Sequence, residues 1–130
     1  MAYRILLVDD SAVTRMVLKK TIGMTSIPVE SILEAANGKE ALDLLCDQKV
    51  DLILADINMP EMNGMEMAAV VLANPSTRDI PIVIISTHSE DIRIHQLRQQ
   101  GVRDYIHKPF TPESIRNVLE KVLLVAPAAH

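Results

Sequence analysis

Five short apolar runs alternate with five amphipathic stretches along this chain, and that alternation limits the fold more than any single residue does. "YRILLV" (3–8), "VESILEA" (29–35), "DLILAD" (51–56), "IPIVIIST" (80–87) and "DYIHK" (104–108) read as strands. Between and after them lie helical patterns. In residues 11–22, Val13, Met16 and Val17 fall at helical spacing behind Ser11, a natural N-cap. "NG" at 37–38 marks a turn, and residues 39–48 put Ala41, Leu44 and Leu45 on one face. Residues 64–74 are helical, with Pro75 beyond their end. Residues 90–100 precede Gly101, a C-terminal stop. The last helix, 112–125, opens with Thr111 as N-cap and Pro112 at its first position, and carries the stripe Ile115, Val118, Leu119, Val122. Strand then helix, five times over, demands a parallel sheet with right-handed crossovers and helices on both faces. The strands are apolar on both sides, as doubly covered strands must be.

The length of 130 residues suits one domain with a core of its own. The aromatic residues are only Tyr3, Tyr105 and Phe110, so that core is aliphatic. A net charge of -4 argues against direct nucleic-acid binding, which favours a basic surface. The lone Cys46 permits no internal disulfide, fits a reducing compartment and reads as a small apolar residue on a helix. "ILLV" is too short for a secretion signal and is followed by two acids. No run reaches the ~20 apolar residues of a membrane span. The expectation is a cytoplasmic protein with no membrane insertion, its domain at residues 1–125 and a flexible tail at 126–130. Met59, Met62, Met65 and Met67 read as adaptable packing.

In open parallel sheets, ligands bind beyond the carboxyl ends of the strands. There the first strand ends in Asp9 and Asp10, the third in Asp56, the fourth in Ser86 and Thr87, the fifth in Lys108 and Pro109. Each residue has an ordinary reading alone: a helix cap, an Asx-turn, a surface charge. With the strand order 2-1-3-4-5 those four strands are neighbours, and three carboxylates, a hydroxyl and an ammonium converge on one crevice. Carboxylates gathered so closely repel one another until a cation arrives. Hard oxygen donors suit Mg²⁺, which bridges one or two carboxylates to a phosphate.

"VDDS" after the first strand, "DINMPEMNG" after the third, "ST" after the fourth and "KPF" after the fifth resemble the receiver domains of two-component response regulators, over about residues 3–125. A chain with these motifs is similar to single-domain chemotaxis receivers. The resemblance implies a flavodoxin-like α/β fold, a doubly wound five-stranded parallel sheet of order 2-1-3-4-5 with five helices on two faces. It implies Asp56 as the phosphoacceptor, charged by a sensor histidine kinase or phosphotransfer protein. It implies Mg²⁺, or Mn²⁺ in its place, held by Asp10, Asp56 and the backbone carbonyl of Asn58, with Asp9 acting through water. Lys108 then pairs with Asp56 and later with the phosphoryl oxygens, Ser86 hydrogen-bonds a phosphoryl oxygen, and Tyr105 takes the aromatic switch position. The Lys108–Pro109 peptide matches a cis bond. Thr87 stands where the family more often has a smaller residue; with His88 and Asn58 it is expected to tune the lifetime of the phosphorylated form.

The physical chemistry runs the same way. Phosphoryl transfer needs positioning and charge neutralisation on the equatorial oxygens. The product adds about one negative charge and strong acceptors to the acceptor carboxylate. Segment 86–105 is the expected moving part, because its helix has the thinnest apolar stripe, Ile92, Ile94 and Leu97. The fourth helix, fifth strand and fifth helix are the expected output face for a downstream protein target. Such a switch turns over no separate substrate and is not an enzyme. Monomer, or a phosphorylation-linked dimer through the last two helices, is the expected state. Two other classes use related sheets, besides the alternative of a receiver fragment of a larger regulator. A haloacid-dehalogenase-like phosphohydrolase wants an acid two residues past its nucleophile, where this chain has Asn58. A flavodoxin-like cofactor binder wants a hydroxyl- and glycine-rich phosphate loop, where this chain has two acids.

Overall fold

The computed structural model describes residues 2–57, 59, 61–86 and 92–125. Strands β1 (Tyr3–Val8), β2 (Val29–Ala35), β3 (Leu52–Asp56), β4 (Ile82–Ser86) and β5 (Asp104–His107) alternate with helices α1 (Ala12–Gly23), α2 (Gly38–Leu45), α3 (Gly64–Ala73), α4 (Ile92–Gln100) and α5 (Pro112–Leu119). The last helix continues as a π-helical stretch, Glu120–Val125. All pairings are parallel, in the order β2-β1-β3-β4-β5. The fold class, the strand order and the five helices agree with the sequence reading.

Alternating side chains divide the core between the two faces of the sheet. On one face Leu6, Val8, Ile53 and Ile84 pack with Met67, Ala68 and Val71 of α3 and Ala41 of α2. On the other, Ile5, Leu7, Leu54 and Ile85 pack with Leu18 and Ile22 of α1 and with the α5 stripe. The three central strands are buried along almost their whole length, and each large aliphatic side chain removed from water there contributes about 1.5–3 kcal/mol. Met59, Met62 and Met65 pack against the first cluster beside Met67, as gap-fillers should.

The local signals are largely obeyed. The side chains of Ser11, Asn63 and Thr111 each accept an N–H from the first turn of the following helix, and Pro112 begins α5. Gly101 closes α4 with φ of 121°, a left-handed conformation that costs glycine nothing. "NG" does more than turn the chain. Asn37 caps α2, accepting Glu40 N–H at 2.9 Å, and Gly38 opens the helix. An added Cβ at Gly38 would sit 2.8 Å from the Met62 side chain, so only glycine fits.

Docking settles what periodicity left open on α1, and one expectation is corrected at Cys46. Val13, Met16 and Val17 do share a side of α1, but it is the water side: they are 65%, 51% and 44% exposed. The buried side is Leu18, Thr21 and Ile22, with the Thr21 hydroxyl satisfied by the Val17 carbonyl at 2.8 Å. Helical spacing groups residues on a face; docking decides which face is covered. Cys46 is exposed at the C-terminal cap of α2 and is no packing residue. Among the described residues, no helix is long and apolar enough to cross a membrane. The side chains of Ile92, Ile94 and Leu97 lie outside the described set, as do residues 126–130.

Candidate functional site

Register brings the strand ends together. Val8 pairs with Ala55, and Asp56 pairs with Ile85, so Asp9, Asp56 and Ser86 emerge at one level of the sheet. One carboxylate oxygen from each of Asp9, Asp10 and Asp56 lies within 4.8 Å of the other two. Lys108 enters from the far strand end. Its ammonium is 3.5 Å from Asp9 Oδ2 and 3.6 Å from Asp56 Oδ2. The Lys108 N–H donates to the Ser86 carbonyl at 2.8 Å, which docks the end of β5 on the end of β4. The Lys108–Pro109 peptide is cis.

The three acids are not equivalent. Asp9 is buried, at 3% exposure, and its Oδ1 accepts the Ser11 N–H at 2.9 Å. That fixes its orientation and leaves Oδ2 facing Lys108. Asp10 is exposed and Asp56 half-buried, so both reach the crevice from its open side. Among the described residues, one ammonium faces three carboxylates, which leaves a negative excess. That donor set, hard oxygens close together and partly open, fits a divalent cation with water in its remaining positions. Ser86 is 2% exposed at the end of β4. Tyr105 is half-buried on β5, beside the first core cluster, and its hydroxyl lies 3.0 Å from His107 Nδ1. Asn58, Thr87 and His88 lie outside the described residues.

Several supports escaped the sequence reading. Glu34 at the end of β2 accepts from Lys19 at 3.1 Å and from Arg15 at 2.9 Å. Those two cations, Lys19 first, hold the Glu34 carboxyl below its ordinary 4.5. Arg15 also donates to the Asp9 carbonyl, so one guanidinium ties β2, α1 and the first acidic turn together. The signal was present as Arg15 and Lys19, four apart and so on one side of α1. Gly64 was the other omission. Its N–H donates to the Ile57 carbonyl at 2.8 Å, and an added Cβ would collide with the Asp56 carbonyl and lie 3.0 Å from Ile57 Cα. The start of α3 therefore rests directly on the backbone that carries Asp56.

A parallel five-stranded sheet with three acids and a lysine at its carboxyl edge defines a receiver domain. The family model for the response regulator receiver domain matches residues 5–120, and the chain belongs to that family. It is 39% identical over 121 residues to a chemotaxis protein CheY homolog of Campylobacter jejuni, covering 92% of each chain. The structure of chemotaxis protein CheY4 from Vibrio cholerae superimposes with a TM-score of 0.82 at 30% identity, over 95% of this chain and 100% of that one. The receiver domain of a sensor histidine kinase from Pseudomonas aeruginosa shares the fold, with a TM-score of 0.81 at 24% identity over 94% of this chain and 98% of that one; that structure has magnesium coordinated in its active-site cleft. The family match sets aside the dehalogenase and cofactor-binding alternatives.

Proposed function

We propose that this receiver is a phosphorylatable switch of chemotaxis type, in which Asp56 takes a phosphoryl group from a histidine kinase or phosphotransfer protein. The observation that carries the reading is the position of Lys108, poised between Asp9 and Asp56 beside three mutually close carboxylates. Asp9, Asp10 and Asp56, with the Asn58 carbonyl, would hold Mg²⁺ or Mn²⁺, which when bound neutralises charge on the phosphoryl oxygens. An Asp56 carboxylate oxygen forms the new bond to phosphorus as the donor's phosphorus–nitrogen bond breaks. Lys108 offers its ammonium to a phosphoryl oxygen, and the Ser86 hydroxyl donates to another. Drawing Ser86 inward displaces the end of β4, and Tyr105 follows into the space released. The added charge thus biases a two-state element on the α4, β5 and α5 side, where a downstream protein binds. The chain acts in the cytoplasm, turns over no separate substrate and is not an enzyme.

The test is incubation with Mg²⁺ and acetyl phosphate, read by intact mass. One phosphoryl group is expected, with none after Asp56→Asn and none when a chelator removes the divalent cation. Lys108→Ala is expected to retain labelling at a reduced rate. Labelling that survives Asp56→Asn would move the acceptor elsewhere.

A further inference from the structure

His107 has no part in the chemistry above, yet the register sets it directly opposite Ser86 on the neighbouring strand. It is exposed, and it shares a face of β5 with Tyr105 because side chains two apart on a strand point the same way. The two rings lie 6.4 Å apart, tilted at 53°, and the Tyr105 hydroxyl is 3.0 Å from His107 Nδ1 at the surface. This bond survives either neutral tautomer. The phenol donates when Nδ1 is bare and accepts when Nδ1 carries the proton. Below that bond, the Tyr105 ring packs against the core cluster on the α2 and α3 side. Tyr105 therefore has an apolar body in contact with the core and a hydroxyl tethered at the rim.

We propose that His107 is a positioning residue that latches Tyr105 in the unphosphorylated arrangement, tethering the hydroxyl at the surface and opposing the inward movement of the ring. This rests on Tyr105 being the moving aromatic of the proposed switch. A ligand or modification shifts a two-state equilibrium only by its differential interaction with the two states. The Tyr105–His107 bond exists in the resting state and is lost when the ring turns in, so it contributes on one side only. One neutral hydrogen bond supports a population shift of roughly three- to tenfold. The edge-strand position suits such a latch: β5 has a partner strand on one side only, and removing an exposed side chain leaves the core intact.

The experiment is a cycle of four full-length proteins: parent, His107→Val, Tyr105→Phe and the double variant. Each is labelled with acetyl phosphate and Mg²⁺ and followed by intact mass. His107→Val should label about three- to tenfold faster. Tyr105→Phe should also label faster, and adding His107→Val to it should change the rate less than twofold, since the hydroxyl is already gone. His107→Gln, which keeps a side-chain partner for the hydroxyl, should return the rate to near the parent value. In a Tyr3→Phe background Tyr105 is the only tyrosine and there is no tryptophan, so its emission reports its surroundings directly; His107→Val should change that emission before any phosphodonor is added. A rate indifferent to His107→Val, or raised equally with and without the hydroxyl, overturns the latch. Absence of labelling in the parent overturns instead the Asp56 reading beneath it, which separates the two failures.

Discussion

The centre of the sheet and its β4–β5 flank are built by different means. At the centre, Asp9 and Asp56 project from strands buried on both faces, and the turn after β3 is pinned by the backbone of Gly64. At the flank, polar side chains make the ties. Asp104 receives Arg98 of α4 at 3.3 Å and Lys121 of the last helix at 3.1 Å, while its Oδ1 accepts the Tyr105 N–H at 2.8 Å. Tyr105 leans on His107, and Lys108 reaches back to the acids. Close packing admits few alternative arrangements, whereas a handful of partly exposed ion pairs can be exchanged at low cost. A carboxylate that must be aimed belongs in the first environment, and a segment that must respond belongs in the second.

Gly64→Ala is the strongest way to break that contrast. The new methyl must displace the Asp56 backbone, so a loss of about 2 kcal/mol in a urea titration is expected, within the roughly 1–3 kcal/mol range for overpacking. Acetyl phosphate labelling should fall in the same variant. If stability drops and labelling does not, the α3 start is a packing contact without influence on the acceptor.

Asp104→Asn tests the flank and should cost less, about 1 kcal/mol, because Arg98 and Lys121 are largely in water. The amide oxygen can still accept the Tyr105 N–H. Hydrogen exchange should speed up in α4 and stay unchanged in β1 and β3. Equal acceleration across the whole sheet would erase the distinction between the two regions.

Glu34 gives the smallest and most pH-specific effect. Its folded carboxyl titrates lower than the unfolded one, so its contribution is present above the ordinary 4.5 and fades as pH falls below it. Over a third of the side chain is open to solvent, so Glu34→Gln should cost on the order of 0.5 kcal/mol at neutral pH. The parent and variant midpoints should converge in acid. A gap that persists there would mean that Glu34 contributes by packing and not by charge.

The order of elements was legible because each rests on local chemistry. Strand runs, caps at Ser11 and Thr111, and stops at Gly101 and Pro75 depend on near neighbours. The acids, Ser86 and Lys108 were legible because strand ends in a parallel sheet share one edge. Helix α1 shows the limit. Val13, Met16, Val17, Leu18 and Ile22 offer two apolar sides, and periodicity has no means to choose between them. Arg15, Glu34 and Gly64 were missed for a related reason: their partners are far off in sequence or are backbone atoms, which leave no pattern.

By itself, then, the chain determined its alternation of strands and helices, their caps, and which residues arrive at the carboxyl edge, since all of these follow from interactions within a few residues. Only tertiary structure decided which side of α1 meets the sheet, that Gly64 carries the Asp56 backbone, and that His107 reaches the Tyr105 hydroxyl across one strand face. Those outcomes depend on distances between groups brought together by packing, and such distances exist only once the sheet has closed.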